Sequence, residues 1–157
     1  MNKIVLVLIF ALGFLSAYFL NYSLVAGGLE KPFGFSFNSG IAPANWIQEG
    51  DIAITPDSVI INVRGASMSR YADSGSMVPT LDKDANGIRI IPKSEEQVNV
   101  GDIVTYQLGD DLIVHRIIEK GNDSEGVYFV PKGDNNDFSD GKIRFKDIKY
   151  VTIALIY

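Results

Sequence analysis

The stretch DIVTYQLGDDLIVHRIIE, residues 102–119, decides how this chain folds. Val, Ile, Thr and Tyr crowd both of its halves, and such β-branched and aromatic side chains suit a pleated, half-buried surface. Gly109, Asp110 and Asp111 between the halves are turn residues, so the pair reads as a β-hairpin. Working outward, runs of the same kind recur as DIAIT at 51–55, SVIINV at 58–63, GIRII at 87–91, VYFV at 127–130 and KYVTIALIY at 149–157. Gly, Asp, Asn or Pro bound most of them, and Gly121, Asn122 and Asp123 mark a second hairpin turn. No stretch beyond residue 50 carries a helical period. Seven short strands separated by turns predict an all-β soluble domain over residues 51–157, built from folded or barrel-like antiparallel sheets.

Composition narrows the chemistry before any motif is considered. The 157 residues suffice for one ordinary core. The net charge is −5 with scattered Lys and Arg, which lacks the basic footprint of a nucleic-acid binder. Without cysteine there is no disulfide, thiol or thiolate-metal chemistry, and His115, as the single histidine, leaves no His-based zinc site. Acid–base work near neutral pH therefore falls on His115 or on a perturbed Lys, Asp or Glu.

The amino-terminal run IVLVLIFALGFLSAYFL, residues 4–20, holds no charged or amide side chain. It approaches the roughly 20 residues that a bilayer span requires, and predicts one N-terminal transmembrane helix within residues 1–26. A cleaved secretory signal is the competing reading. The run exceeds the usual apolar core of about 7–15 residues in such signals, and Leu24 is large for the −3 position of a cut after Ala26. Lys3 before the run predicts a cytoplasmic amino end, with the rest of the chain outside. Residues 27–50 read as a linker or membrane-interface segment. There Phe33, Phe35, Phe37 and Trp46 suit either a lipid interface or padding of the core.

Three places draw attention as chemistry. In SGSMVPTL, residues 74–81, Gly75 permits close backbone approach and Pro79 fixes the exit of the turn, so the Ser76 hydroxyl could be held rigidly in a cleft. Serines beside glycine are more often plain turn residues. Ser67-Met68 repeats the Ser-Met pair without the preceding Ser-Gly or the following proline. His115 lies inside an apolar strand, on one face with Ile113 and Ile117; a core histidine bonded to a carbonyl is the plainer alternative. The loop KGDNNDFSDG, residues 132–141, has the carboxylates and amides of self-capping turns and only a partial echo of a calcium loop.

In chain order, SGSMVPTL, GDIVTYQLGDDLIVHRI and KGDNNDFSD resemble the nucleophile, base and acidic boxes of the signal peptidase I family. His115 stands where bacterial members carry lysine, so the resemblance is to the Ser/His branch of archaea and the endoplasmic reticulum. It covers roughly residues 74–140. It implies a signal-peptidase-like fold in which Ser76 attacks the scissile carbonyl and His115 takes its proton. The Ser74 hydroxyl would stabilise the oxyanion beside the Ser76 N–H, with Met77 in the same substrate-binding group. Asp140 would orient the histidine, and Asp134 is the alternative acid. No cofactor or metal is implied.

The implied substrates are secretory preproteins, cut by a single-pass membrane enzyme whose catalytic domain faces the extracytoplasmic side. The lipid bilayer and the protein translocation machinery are the implied partners. The cleavage region would lie extended, with small residues at −1 and −3, against walls drawn from SVIINV and from the segment before Ser74. Three alternatives stand: a catalytically inactive, membrane-tethered β-domain that binds extended peptides; a processing protease with another substrate; and a self-cleaving repressor-type protease. His115 and the apolar amino terminus argue against the last, which uses a serine/lysine pair.

Overall fold

A computed structural model of the protein describes residues 3–26 and 42–157. The chain divides into two compact units, Met1–Ser39 and Gly40–Tyr157. In the first, α1 (Lys3–Ala26) is a 24-residue helix with Lys3 as its only charged side chain. Its apolar residues surround the axis instead of forming one stripe, and the large apolar side chains described, such as Phe10 and Phe14, are exposed. Among the described residues no helix is long and apolar enough to cross a membrane. The fold by itself therefore does not carry the transmembrane span expected within residues 1–26. Phe33, Phe35 and Phe37 of the expected interface segment lie outside the described residues. Trp46 packs against the main core of the second unit, as the core-padding alternative has it.

The second unit is built of antiparallel strands. A two-stranded ribbon pairs β1 (Ile52–Ile54) with β2 (Val59–Ile61), and every residue of both is exposed. The other strands are β3 (Ser67–Arg70), β4 (Asn86–Ile90), β5 (Ile103–Leu108), β6 (Asp111–Asp123), β7 (Gly126–Lys132) and β8 (Ile148–Ile156). They form one sheet in the order β3-β4-β8-β5-β6-β7. Short 3₁₀ turns at Glu49–Asp51, Glu95–Gln97 and Phe145–Asp147 supply the only helical structure described in this unit.

The hairpin read from residues 102–119 forms with Leu108 opposite Asp111 and Val104 opposite His115. Two details differ from expectation. The Ser-Met pair at 67–68 opens β3, a strand too polar to show an apolar period; it is defined by its pairing with β4. The second hairpin turns at Ser124 and Glu125, because β6 continues through Asp123, opposite Gly126. There the Asp123 carboxylate accepts the Glu125 N–H at 3.0 Å, which closes the turn. Gly121, expected in the turn, instead faces Tyr128 across the ladder.

Two apolar clusters support the sheet. Val98, Val104, Tyr106, Ile117, Phe129, Ile143, Ile148 and Val151 form the larger, and Met77, Leu81, Ala85 and Ile103 the smaller. Each fully buried side chain of this kind contributes about 1.5–3 kcal/mol. The buried Asp102 carboxylate accepts N–H groups of Ala44 and Asn99, both at 2.9 Å, and so ties residues 42–46 to the entry of β5. Burial raises its pKa, against those two hydrogen bonds.

Candidate active site

Ser76 stands on a tight turn between β3 and β4. Gly75 has φ +70°, a left-handed conformation that a side chain would strain, and so the chain can reverse just before the hydroxyl. The Val78 N–H then bonds the Gly75 carbonyl at 3.3 Å and the Leu81 N–H bonds that of Met77 at 3.1 Å. Met77 and Leu81 are buried in the smaller cluster, which pins the turn from beneath. His115 sits mid-strand in β6 and is only 6% exposed. Since β5 and β7 flank β6, the imidazole has a rigid base.

The geometry joins these distant positions. His115 Nε2 lies 3.2 Å from Ser76 Oγ, and His115 Nδ1 lies 2.6 Å from Asp140 Oδ2. The Asp140 N–H bonds the Pro131 carbonyl at 3.0 Å, which holds the end of loop 133–140 against β7. Ser74 Oγ is 3.2 Å from Ser76 Oγ, and the Ser76 N–H points to Ser74 Oγ at 3.4 Å. The Ser74 hydroxyl thus meets both the hydroxyl and the amide of Ser76.

Asp134 has different partners. Arg116 grips it with two bonds, Nε to Oδ1 at 2.8 Å and Nη2 to Oδ2 at 2.7 Å, while the Thr80 hydroxyl donates to Oδ2 at 2.5 Å. Burial pushes its pKa up, but the Arg116 and Thr80 bonds outweigh this and hold the carboxyl below its ordinary range. Arg116 also reaches the Gly101 carbonyl at 2.9 Å. Asp134 is therefore part of a clamp between the loop, β6 and the Ser76 turn, whereas Asp140 touches the imidazole. Asn135 adds to the brace: its N–H bonds the Ser76 carbonyl at 2.8 Å and its amide bonds the Gly75 carbonyl at 3.1 Å. Met77 offers its sulfur to the Asp134 N–H at 3.4 Å.

A cleft of about 540 Å³ opens over Ser76 and His115. Its walls include Tyr71 and Ala72, from the segment before Ser74, together with Leu112, Ile113 and Val114 of β6. The other expected wall, residues 58–63, is not among its lining; Asn62 and Val63 border a separate cavity. Among the described residues no group of three or more His, Asp or Glu could hold a metal ion.

Tyr106, Thr80, Arg116 and Asn135 belong to this network, yet none stands out in the sequence. The period of two within the hairpin held a clue to Tyr106. With Val104 opposite His115, Tyr106 is a diagonal neighbour on the same face. Its hydroxyl donates to Asp140 Oδ2 at 2.7 Å.

An imidazole between a serine hydroxyl and a carboxylate is an arrangement of serine-hydrolase type. Comparison with known proteins narrows the class. The chain is similar to the signal peptidase complex catalytic subunit SEC11 of Scheffersomyces stipitis, with 34% identity over 80 residues. It is 35% identical, again over 80 residues, to the subunit of that name in two strains of Candida albicans. Each match covers 50% of this chain and 47% of the relative, so the chain spans about half the length of the curated relatives it matches. No family model matches the chain, and no solved structure matches it. Across half of its length the chain is thus similar to proteins named as catalytic subunits of signal peptidase complexes.

Proposed function

We propose that this protein is a membrane-anchored serine endopeptidase that removes signal peptides from translocated preproteins. The observation that carries the reading is the His115 imidazole spanning Ser76 Oγ and Asp140 Oδ2, at 3.2 and 2.6 Å. With Nδ1–H donated to the carboxylate, the Nε2 lone pair faces the hydroxyl. His115 then takes the Ser76 proton as Oγ attacks the scissile carbonyl. The developing oxyanion takes the Ser74 hydroxyl and the Ser76 N–H as donors, the amide giving up its 3.4 Å bond to Ser74 Oγ. The imidazolium gives its proton to the leaving amine, the new amino terminus of the mature protein. Water, deprotonated by the same imidazole, next hydrolyses the acyl-serine and restores the enzyme. Asp140 is the orienting acid, and Asp134 serves as the clamp beside it.

Two further observations support the substrate and the setting. The relatives are named as signal peptidase complex catalytic subunits, which favours preproteins as substrates and assembly in a complex. A helix apolar on all sides, as α1 is, needs apolar surroundings, and a lipid bilayer supplies them. On this reading α1 is a single-pass anchor with the catalytic unit on the extracytoplasmic side, and translocation machinery is nearby. The test is incubation of the purified full chain and its Ser76→Ala variant with a secretory precursor, followed by sequencing of the new amino terminus. Cleavage after a small residue by the wild type alone is expected. Equal cleavage by the variant refutes the nucleophile.

A further inference from the structure

We infer that Tyr106 is a positioning residue for His115: its hydroxyl donates to Asp140 Oδ2 and so holds the carboxylate opposite Nδ1 with Nε2 facing Ser76. The inference rests on the serine–imidazole reading above and deepens it. The Tyr106 hydroxyl donates to Asp140 Oδ2 at 2.7 Å, and the same oxygen lies 2.6 Å from His115 Nδ1. An ionised carboxylate can only accept. Held in this place by the phenol, it takes Nδ1–H, and Nε2 is left with the lone pair. Were Asp140 protonated on Oδ2, the opposite tautomer would point an N–H at Ser76 and could not act as base.

The phenol is suited to this work. Tyr106 is fully buried on β5, between β8 and β6, and Asp140 is its described hydrogen-bond partner. Burial first, and then the bond to Asp140, raise its pKa, so the phenol stays protonated and keeps a hydrogen to donate. The rings of Tyr106 and His115 lie 6.4 Å apart. Apart from Asp140, the charged groups near the imidazole are Asp134 with its partner Arg116, and Arg70, Arg89 and Asp82, which line the same cleft. None of these is hydrogen-bonded to the imidazole. A phenylalanine at 106 would keep the packing and lose the donor. The charge on Oδ2, no longer shared, would then hold the imidazolium more strongly, and His115 would keep its proton to higher pH.

Because His115 is the only histidine, NMR of the ¹⁵N-labelled full chain in detergent micelles reads this one imidazole without assignment. In the wild type, neutral His115 should show protonated Nδ1 and bare Nε2. Tyr106→Phe should raise the His115 titration midpoint and move the acid limb of kcat/KM upward with it. It should also lower kcat about tenfold with little change in KM. In an Asp140→Asn background the same change should move neither quantity, since the shared charge is gone. A wild-type imidazole protonated at Nε2 overturns the inference, even if Tyr106→Phe fails to fold. So does a folded Tyr106→Phe protein whose titration matches the wild type. Absence of cleavage together with the expected tautomer and titration shift counts against the protease reading and leaves this one standing.

Discussion

Asp134 and Asp140 share a loop and a residue type, yet their partners divide the labour between them. Asp140→Asn can present its amide N–H to Nδ1 and force the wrong tautomer. A fall in kcat of about 10³- to 10⁴-fold is expected, with little loss of melting temperature. Asp134→Asn should act on stability, because Arg116 and Thr80 lose a charged acceptor in a site where the Asp134 side chain is only 17% exposed. The expected cost is about 1–3 kcal/mol in chemical denaturation at neutral pH. The sign with pH follows from the lowered carboxyl. The wild-type advantage is fully present above the ordinary carboxylate range and disappears as pH falls through the lower folded value. Denaturation curves of both proteins across that range check this. Ser76, His115 and the choice between two acids were legible in the sequence because three short boxes occur in order. Which acid meets the imidazole was not, since only the path of loop 133–140 over β6 decides it. Tyr106 was hidden for another reason: a tyrosine in a strand is ordinary until its hydroxyl is seen to meet the carboxylate that touches His115.

At the scale of elements, strands rich in Val and Ile were legible and those defined by their neighbours were not. Residues 102–119 announce a hairpin through composition and turn chemistry together. By contrast, β3 reads Ser-Met-Ser-Arg and owes its form to the ladder with β4. The turn at Ser124 and Glu125 was missed because Gly and Asn at 121 and 122 looked like turn residues while the ladder to β7 carries them as strand. The loop after β7 makes an element-level prediction. A Cβ at Gly133 would lie 2.7 Å from the Ser76 carbonyl oxygen and 2.7 Å from Asn136 Nδ2. The backbone oxygen cannot yield without moving the nucleophile turn. Gly133→Ala should therefore lower kcat/KM at least tenfold, by roughly the effect of a small misplacement of reacting groups. Assay of cleavage beside a thermal melt separates this from simple unfolding, which would lower both together.

For the whole molecule, the proposed function gives the apolar helix and the unit that begins at Gly40 separable roles. A chain begun at residue 40 should no longer float with lipid vesicles, and should cut a short soluble peptide as fast as the full protein does. Its rate on a precursor embedded in vesicles should drop, because shared attachment to one bilayer raises the effective concentration of the scissile bond. Flotation and the two cleavage assays, run side by side, check this. The order of the large sheet has a consequence for biosynthesis. β8 lies between β4 and β5, so the half that carries Ser76 and the half that carries His115 are laced into one sheet by the strand that follows both in the chain. A nascent polypeptide still on the ribosome at residue 140 holds every reacting group and lacks the seam between them. On the proposed reading, Ser76 and His115 should thus meet late, after synthesis has passed residue 156.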